Sequence, residues 1–250
     1  MKARCRRPVL VRISSQSSKM SPSPSPSSIN RCVFIRVLLS LLILSYGRAG
    51  KSVKQEGEKM RIISGERRGL QLKSASGTDT RPTSDKVKES VFNMIGPYFD
   101  GGRVLDLFGG SGGLALEALS RGMDRAVLIE KDRRAQAAIL ENVAKCRYDD
   151  RVELIRADAR QAVRRIIAKG EPFDLLFLDP PYARDTYYKL AGELAEAGLI
   201  ARGGTIVCEH DRSVSLPDSF GESIKEKESV YGGTVITIYR NAAGEGETNG

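Results

Sequence analysis

The segment RVLDLFGGSGGLALEAL, residues 103–119, decides the fold. Residues 103–108 predict a buried β-strand, the glycine-rich residues 109–113 a tight turn, and residues 114–119 a helix. A strand, a glycine turn and a helix in this order are typical of the nucleotide-cofactor site of doubly wound α/β folds. Because Ala115 stands at the third glycine position of the G-x-G-x-x-G pattern, an ordinary turn between strand and helix stays open as an alternative.

Two acidic residues follow the next predicted strands along the chain. Glu130 comes directly after the strand 125–129, about 20 positions beyond the glycine turn, where an acidic side chain accepts hydrogen bonds from ribose hydroxyls. Asp158 follows the strand 152–156 and is placed to accept from an adenine amine. The same aspartate is equally suited to cap the helix that begins at residue 159, and the two roles are compatible.

The sequence Asp179-Pro180-Pro181-Tyr182 follows the apolar strand 173–178. Proline has no N–H to donate, so the chain must leave the sheet at its carboxyl edge, where open α/β sheets bind their ligands. There the Asp179 carboxylate and the Pro180 carbonyl can accept from an exocyclic NH2 of a nucleobase, and Tyr182 can stack on the base. An ordinary strand-ending turn is the alternative. Hydride transfer gives no reason for this motif, whereas methyl transfer to an amine does.

Together these motifs resemble the S-adenosylmethionine (AdoMet) motifs of amino-methyltransferases. The segments 60–65 (MRIISG), 67–69 (RRG) and 81–93 (RPTSDKVKESVFN) resemble the amino-terminal hairpin and helix of the RsmD family. That family methylates the N2 amine of a guanine in bacterial 16S ribosomal RNA. The resemblance covers about residues 60–240. Its departures are mild: Gly109 and Gly113 replace an expected alanine, and Ala115 replaces an expected glycine.

The resemblance implies a set of site residues, with AdoMet as cofactor and 16S rRNA or the small ribosomal subunit as partner. The expected catalytic residues are Asp179, Pro180, Pro181 and Tyr182. The expected cofactor-binding residues are Asp106, Phe108, Gly109, Gly110, Ser111, Gly112, Glu130 and Asp158. The expected substrate-binding residues are Arg61, Arg67, Arg68, Arg81 and Tyr182. We also expect a cytoplasmic monomer with no metal and no stable membrane association.

The net charge of +9 is unevenly distributed along the chain. Residues 1–59 hold 12 of the 40 Lys/Arg and 2 of the 31 Asp/Glu, so residues 60–250 hold 28 and 29 and are close to neutral. RNA binding must therefore rest on local patches. Arg61, Arg67, Arg68 and Lys73 form one candidate patch, for which a solvated charged surface is the alternative. Arg81 is expected to contact a phosphate or the cofactor carboxylate, or else to orient the turn before a helix.

Residues 1–59 have no counterpart in the family. A Ser-Pro repeat spans 21–28, and an apolar run of about 14 residues spans 33–46, which is short of the about 20 that a membrane span needs. We interpret this extension as a start codon placed too far upstream of Met60, with a targeting segment as the alternative. If it is made, we expect it to be disordered or weakly helical and not part of the fold.

The spacing of the cysteines and the single histidine argue against a zinc site and against a Ser-His-Asp catalytic triad. Cys5, Cys32, Cys146 and Cys208 lack the C-x-x-C spacing of zinc sites, and His210 is the only histidine. No nucleophile elbow accompanies that histidine, so a Ser-His-Asp triad is not indicated. A reducing cytosol is the simplest setting for these thiols.

The chain as a whole predicts an α/β protein of the Rossmann-like AdoMet-dependent methyltransferase class. We expect a mostly parallel seven-stranded sheet with helices on both faces, a hairpin and helix over 60–100, a catalytic domain over 101–240 and a disordered tail over 241–250. The last two strands, 224–230 and 235–239, predict an antiparallel hairpin. DNA adenine-N6 and protein glutamine methyltransferases share the Asp-Pro-Pro-Tyr motif and stay open as alternatives, as does a non-catalytic RNA-binding module.

Overall fold

Eight strands form one sheet in the computed structural model, which describes residues 60–74, 85–180 and 185–242. Their order is β3-β2-β1-β4-β5-β8-β7-β6, and the first five are mutually parallel. The strands are β1 (Arg103–Asp106), β2 (Arg125–Ile129), β3 (Val152–Ile155), β4 (Phe173–Leu178), β5 (Ile200–Asp211), β6 (Ser219–Phe220), β7 (Ser223–Tyr231) and β8 (Thr234–Asn241).

The mostly parallel sheet is confirmed, and all seven predicted strands are present. The eighth, β6, is a two-residue edge strand that pairs with the start of β7 and is too short to leave a pattern in the sequence. Strand β8 continues to Asn241, so the predicted tail begins one residue later than expected. The buried Asn241 amide donates to the carbonyls of Ile200 (2.8 Å) and Ala201 (3.1 Å), which fixes the strand end. Residues 243–250 lie outside the described part of the chain.

The helices begin and end close to the predicted positions. They are α1 (Asp85–Ile95), α2 (Gly113–Ser120), α3 (Arg133–Cys146), α4 (Ala159–Lys169) and α5 (Lys189–Glu196), with a 3-10 turn at Asp185–Tyr187. The single helix expected over 186–197 is thus divided into that turn and α5. Asp132 caps α3 by accepting from the backbone N–H groups of Arg134 and Ala135, both at 2.9 Å. Thr83, the expected cap of α1, lies outside the described residues.

Two apolar layers cover the sheet, one on each face. Because side chains alternate across a strand, neighbours such as Val104 and Leu105 belong to different layers. The Val104 layer packs against α1, α2 and α3 and includes Phe92, Leu116 and Ile139. The Leu105 layer packs against α4 and α5. Because of this alternation, residues that are an even number of positions apart along a strand lie on the same face of the sheet, and this rule also places the side chains at the strand ends.

The amino-terminal arm, residues 60–74, packs on the same face as α1, α2 and α3. It folds back on itself through one antiparallel bridge, Arg61 with Gln71, and through hydrogen bonds from Ile62 N to Leu70 O (2.9 Å) and from Leu72 N to Met60 O (2.8 Å). The predicted hairpin is therefore present as a single bridge rather than as two strands. Within the described residues, none of the helices has the length and apolar character needed to cross a bilayer.

Candidate active site

The candidate site lies at the carboxyl edge of the sheet, where β1 lies between β2 and β4. From β1 the chain builds outward through β2 and β3, and then returns to the other side of β1 with β4. This reversal is the topological switch point at which open α/β sheets bind ligands. Asp106 ends β1 and pairs with Phe177, so Asp179, two residues further along, emerges on the same face.

The glycine turn after β1 has the backbone conformation that its sequence predicts. Gly110 and Gly112 have φ angles of 54° and 84°, in the left-handed region that favours glycine. A Cβ at Gly112 would also lie 3.3 Å from Leu116 Cδ1, so both strain and space select glycine there. Gly113 departs from the family pattern, and a Cβ at that position would lie 3.1 Å from Met60 Sδ. The departure therefore makes room for a side chain of the arm.

Glu130 accepts a hydrogen bond from the glycine turn and has lone pairs left to accept hydrogen bonds from a ligand. Its carboxylate accepts from Gly110 N (Oε2, 2.9 Å) and from Asp132 N (Oε1, 2.7 Å). The Gln136 side-chain amide donates to the Glu130 carbonyl at 2.9 Å. A carboxylate has about four lone-pair sites, so two remain for hydroxyl donors. Glu130 thus directly follows β2, as the sequence predicts, and its role toward ribose hydroxyls stays a prediction.

Asp158 is the N-cap of α4. Its carboxylate accepts from Arg160 N at 3.0 Å and pairs with the Arg160 guanidinium at 3.0 Å. These bonds to Arg160 hold the pKa of the Asp158 carboxyl below its ordinary value. The capping role foreseen in the sequence is therefore present, and a contact with an adenine amine stays a prediction.

Carboxylates from three neighbouring strands converge at this edge. Asp106 is only 2% exposed, and burial followed by the charge of Glu130 raises its pKa to about 7, although Phe108 N donates to Asp106 Oδ1 at 3.1 Å. Burial raises the pKa of Asp179 well above its ordinary value, and the charges of Glu209 and Asp106 add to the effect. A cationic ligand at this edge would favour the ionised carboxylates, because its positive charge would relieve their mutual repulsion.

Glu209 was not identified from the sequence. It lies in β5 one residue beyond Cys208, which pairs with Leu178, so its backbone is next to that of Asp179. Its own carbonyl accepts from Tyr188 OH at 2.7 Å. One signal could have indicated Glu209: it is a charged residue directly after the apolar residues 206–208. Because β5 is parallel to β4, such a residue lies at the same edge of the sheet as Asp179.

Two side chains tie the arm to the glycine turn. Ser111 Oγ donates to Met60 Sδ at 3.2 Å. The fully buried Asn142 amide of α3 donates to Ser111 O and to Lys73 O, both at 2.9 Å, and its oxygen accepts from Lys73 N at 2.7 Å. Both ends of the arm are therefore held at the turn that the sequence assigns to the cofactor. Neither contact was foreseen.

A buried charge cluster fixes the middle of the arm. Glu117 of α2 is fully buried and accepts from Ile63 N (2.7 Å) and Ser64 N (2.9 Å). The same carboxylate pairs with Arg121 at 2.8 Å and with Lys88 of α1 at 3.4 Å. Glu117 thus satisfies two arm N–H groups and two buried cations, and it joins the arm, α1 and α2 into one unit.

The predicted RNA-contacting arginines do not gather at Asp179. Arg61 pairs with Asp85 at the start of α1 (2.8 Å). Arg67 donates to Cys146 O at 2.7 Å and lies over the Tyr148 ring, 5.3 Å from its centre. Exposed Arg68 lines a cavity of about 670 Å³ beside the carboxyl end of α2, which lies toward the amino edge of the sheet. The structure therefore separates Arg67 and Arg68 from the carboxylates.

The remaining predicted residues divide into core residues and residues that the structure does not describe. Phe108 packs edge-on against Tyr187, with ring centres 5.1 Å apart, and so contributes to the Leu105 layer. Pro180 is buried directly after β4. Pro181, Tyr182 and Arg81 lie outside the described residues.

His210 and the described cysteines are structural residues. His210 is buried, and its Nε2 hydrogen-bonds Thr237 Oγ1 at 2.8 Å. Cys146 and Cys208 are buried free thiols. Across residues 60–74, 85–180 and 185–242, no group of three His, Cys, Asp or Glu side chains has a metal-binding arrangement.

Comparison with known proteins places the chain among RNA-modifying enzymes. Residues 60–240 match the family model described as "Conserved hypothetical protein 95". The chain is 44% identical over 181 residues to the Bacillus subtilis protein named "Putative rRNA methyltransferase YlbH", covering 72% of this chain and 98% of that one. It is 32% identical over 192 residues to Ribosomal RNA small subunit methyltransferase D of Escherichia coli strain K12, covering 76% and 95%.

A solved structure agrees with these relatives. The structure described as "Putative methyltransferase yhhF from Escherichia coli" is similar to this one with a TM-score of 0.64 and 33% identity, covering 74% of this chain and 99% of that one. The matched span includes the glycine turn, Glu130 and the Asp-Pro-Pro-Tyr sequence. The chain therefore belongs to the conserved hypothetical protein 95 family, the RsmD family of ribosomal RNA methyltransferases.

Proposed function

We propose that this protein transfers a methyl group from AdoMet to the exocyclic N2 amine of a guanine in bacterial 16S rRNA. One observation carries the proposal: carboxylates from β1, β4 and β5 converge beside the glycine turn at the switch point of the sheet. That arrangement provides a negative pocket for a cationic cofactor next to acceptors for an amine. Two relatives whose names specify ribosomal RNA support the substrate class.

The chain's residues fit AdoMet. Glu130 retains acceptor capacity for ribose hydroxyls, and the backbone of Gly110 to Gly112 allows close approach of a ligand. Asp106 and Asp179 provide negative charge for the cofactor's ammonium and sulfonium groups. AdoMet, when bound, supplies a methyl group that its positive sulfur has already activated.

Asp179 is the residue that acts on the amine. An aromatic NH2 is a poor nucleophile because its lone pair is delocalised into the ring. The Asp179 carboxylate and the Pro180 carbonyl would accept hydrogen bonds from its two N–H groups and orient the nitrogen toward the methyl group, and such positioning can lower the barrier by several kcal/mol. A positive charge beside Asp179 favours the ionised carboxylate that this role requires.

The same aspartate is suited to take the released proton. Transfer of the methyl group from sulfur to nitrogen would leave the amine with one proton more than the product holds. Burial and the charges of Glu209 and Asp106 raise the pKa of Asp179, so once the cofactor's positive charge has been lost Asp179 becomes a better proton acceptor. Asp179 would thus act first as acceptor of a hydrogen bond and then as acceptor of a proton.

The experiment is tritium transfer from labelled AdoMet to small-subunit rRNA, compared between the wild type and Asp179→Ala. We expect the variant to lose transfer while its AdoMet affinity, measured by calorimetric titration, stays within a few-fold. Loss of cofactor binding in a folded variant would contradict the role given to Asp179.

Mass spectrometry of nucleosides identifies the product. Ribosomal RNA from a deletion strain should lack one N2-methylguanosine, and complementation with the wild type should restore it. Label in N6-methyladenine of DNA or in protein glutamine would favour the alternative methyltransferase classes. RNA binding without any transfer would favour a non-catalytic module.

A further inference from the structure

Two adjoining clefts lie along the amino-terminal half of α3, outside the site already described. The larger, of about 580 Å³, is lined by Lys131, Arg133, Gln136, Ala137, Leu140 and Arg156. The smaller, of about 310 Å³, is lined by Lys73, Ser74, Arg134, Ala137 and Ala138. Ala137 lines both, so the two clefts form one continuous surface, which we name the basic clefts. All charged side chains that line them are cations.

The cations of the basic clefts are exposed and mostly unpaired. Lys131, Arg133, Arg134 and Arg156 are exposed, and within the described part of the chain none of the four forms an ion pair with a carboxylate. Lys73, the fifth, pairs with Glu141. Arg125 and Arg202, at the opposite edge, are also exposed and have no ion pair among the described residues, so the gathering of five cations is what distinguishes the basic clefts.

Two of these cations, Arg133 and Arg134, lie where a positive charge destabilises helix α3. The amino terminus of a helix carries partial positive charge, so acidic residues stabilise the first turn and basic residues destabilise it. Helix α3 has no acidic residue in its first turn, where Arg133 and Arg134 stand, and the acidic groups that offset them lie before it: the cap Asp132 and Glu130, which accepts from Asp132 N. Local stability does not explain this choice, whereas binding of an anion does.

The basic clefts open at the same edge of the sheet as the candidate active site. Lys131 directly follows Glu130, and its charge adds to the effect of Arg160 in lowering the pKa of Asp158. Arg156 directly follows β3, the parallel neighbour of β2. The half-exposed Leu140 gives the larger cleft an apolar floor. Phosphates can therefore contact the cations while a sugar or base packs on that floor.

Resting on the proposed function, we propose that the basic clefts bind the phosphate backbone of the substrate RNA and so orient it across the carboxyl edge toward Asp179. Residues 60–250 are close to neutral, so this concentration of positive charge is a local feature and not a consequence of overall composition. The contact fixes the register of the RNA and leaves recognition of the base to the site itself.

The test is the double variant R133E/R156E against the control R125E/R202E. Both change the charge by the same amount at exposed arginines, but Arg125 and Arg202 lie near the amino ends of β2 and β5, at the opposite edge. Binding of a small-subunit rRNA transcript is measured between 0.05 and 0.5 M salt, concentrations chosen over about one decade.

The expected result is a loss of affinity that shrinks as salt rises. Two lost phosphate contacts reduce the slope of log affinity against log salt by about 1.4 to 1.8. If the affinities converge near 1 M salt, this slope corresponds to about a 25- to 60-fold loss at 0.1 M. The control should keep the wild-type slope, and AdoMet affinity should be unchanged in both variants. The melting temperature of R133E/R156E should not fall, because a glutamate suits the first turn of α3.

Equal behaviour of the two double variants would overturn the inference, as would loss of AdoMet affinity in R133E/R156E, which would assign the clefts to the cofactor. A wild type that binds the transcript but transfers no methyl group would refute the proposed function alone. A cleft variant that binds and methylates as the wild type does would refute only the inference about the clefts.

Discussion

Replacing Asp106 by asparagine should stabilise the protein in the absence of cofactor, and should do so increasingly as pH rises. The asparagine would keep the oxygen that accepts from Phe108 N, and its side chain has nearly the same shape as that of aspartate. The substitution removes the charge and replaces the second carboxylate oxygen by an NH2 group of similar size. Because the Asp106 carboxyl is 2% exposed and faces Glu130, its ionised form is disfavoured in the folded state and its pKa is about 7.

The size of this stabilisation follows from the linkage between unfolding and the binding of a proton to Asp106. The folded protein holds this proton up to a pH of about 7 and the unfolded chain only up to the ordinary value of 3.8, so the free energy of unfolding falls as pH rises through this window. At 1.36 kcal/mol for each pKa unit, the raised pKa of Asp106 lowers the free energy of unfolding by about 2 kcal/mol at pH 5 and by about 4 kcal/mol at pH 8. Asp106→Asn should regain these amounts.

Urea unfolding of the two proteins at pH 5 and pH 8 measures the effect. Asp158→Asn is the matched control, since Arg160 holds the pKa of the Asp158 carboxyl low and loss of that charge should destabilise the fold. The reasoning is refuted if Asp106→Asn is no more stable than the wild type at pH 8, or if its gain is the same at both pH values. AdoMet should stabilise the wild type more than Asp106→Asn, because the variant has lost an anion that the cofactor's positive charge relieves.

Glu130→Ala should weaken AdoMet binding about 10- to 150-fold, since it removes a charged ribose acceptor worth roughly 1.5–3 kcal/mol and also the acceptor of Gly110 N in the glycine turn; an unchanged dissociation constant would remove Glu130 from the site. Glu117→Gln should cost about 3–5 kcal/mol in urea unfolding, because it leaves two buried cations unbalanced, whereas Glu141→Gln, at an exposed pair, should change stability far less; similar effects would contradict the role of the buried cluster. A chain beginning at Met60 should melt and methylate like the full chain and lose only non-specific RNA affinity, measured at two salt concentrations; failure to fold would show that residues 1–59 belong to the enzyme.

The order of the elements and the glycine turn could be predicted because their signals are local. Each parallel strand is a short apolar run, and glycine is required where the backbone becomes left-handed, as at Gly112. The position of Glu130 directly after β2 could be predicted for the same reason, whereas its role toward the cofactor stays a prediction. Strand β6 left no signal, because two residues are too few to show a period.

The supports of the site could not be predicted, because they depend on contacts between distant parts of the chain. Glu117 binds residues more than 50 positions earlier, and Asn142 joins two segments that the sequence separates by more than 30 residues. Glu117 did offer one clue, as it is the only charged residue in the apolar helix 114–119. A charge in such a position is either misplaced or buried with a partner, and the sequence does not say which partner.

The distribution of charge shows the same distinction between local and distant signals. The arginines of the arm are close in sequence and suggested an RNA-binding patch, yet two of them point to the amino edge and one of those is used in packing. Lys131 and Arg156 are 25 positions apart and suggested nothing, yet adjacent parallel strands bring them to one cleft at the carboxyl edge. Every parallel strand delivers the residues that follow it to this same edge, so the proposed RNA surface could be found only from the positions of cations after strands and not from their clustering along the chain.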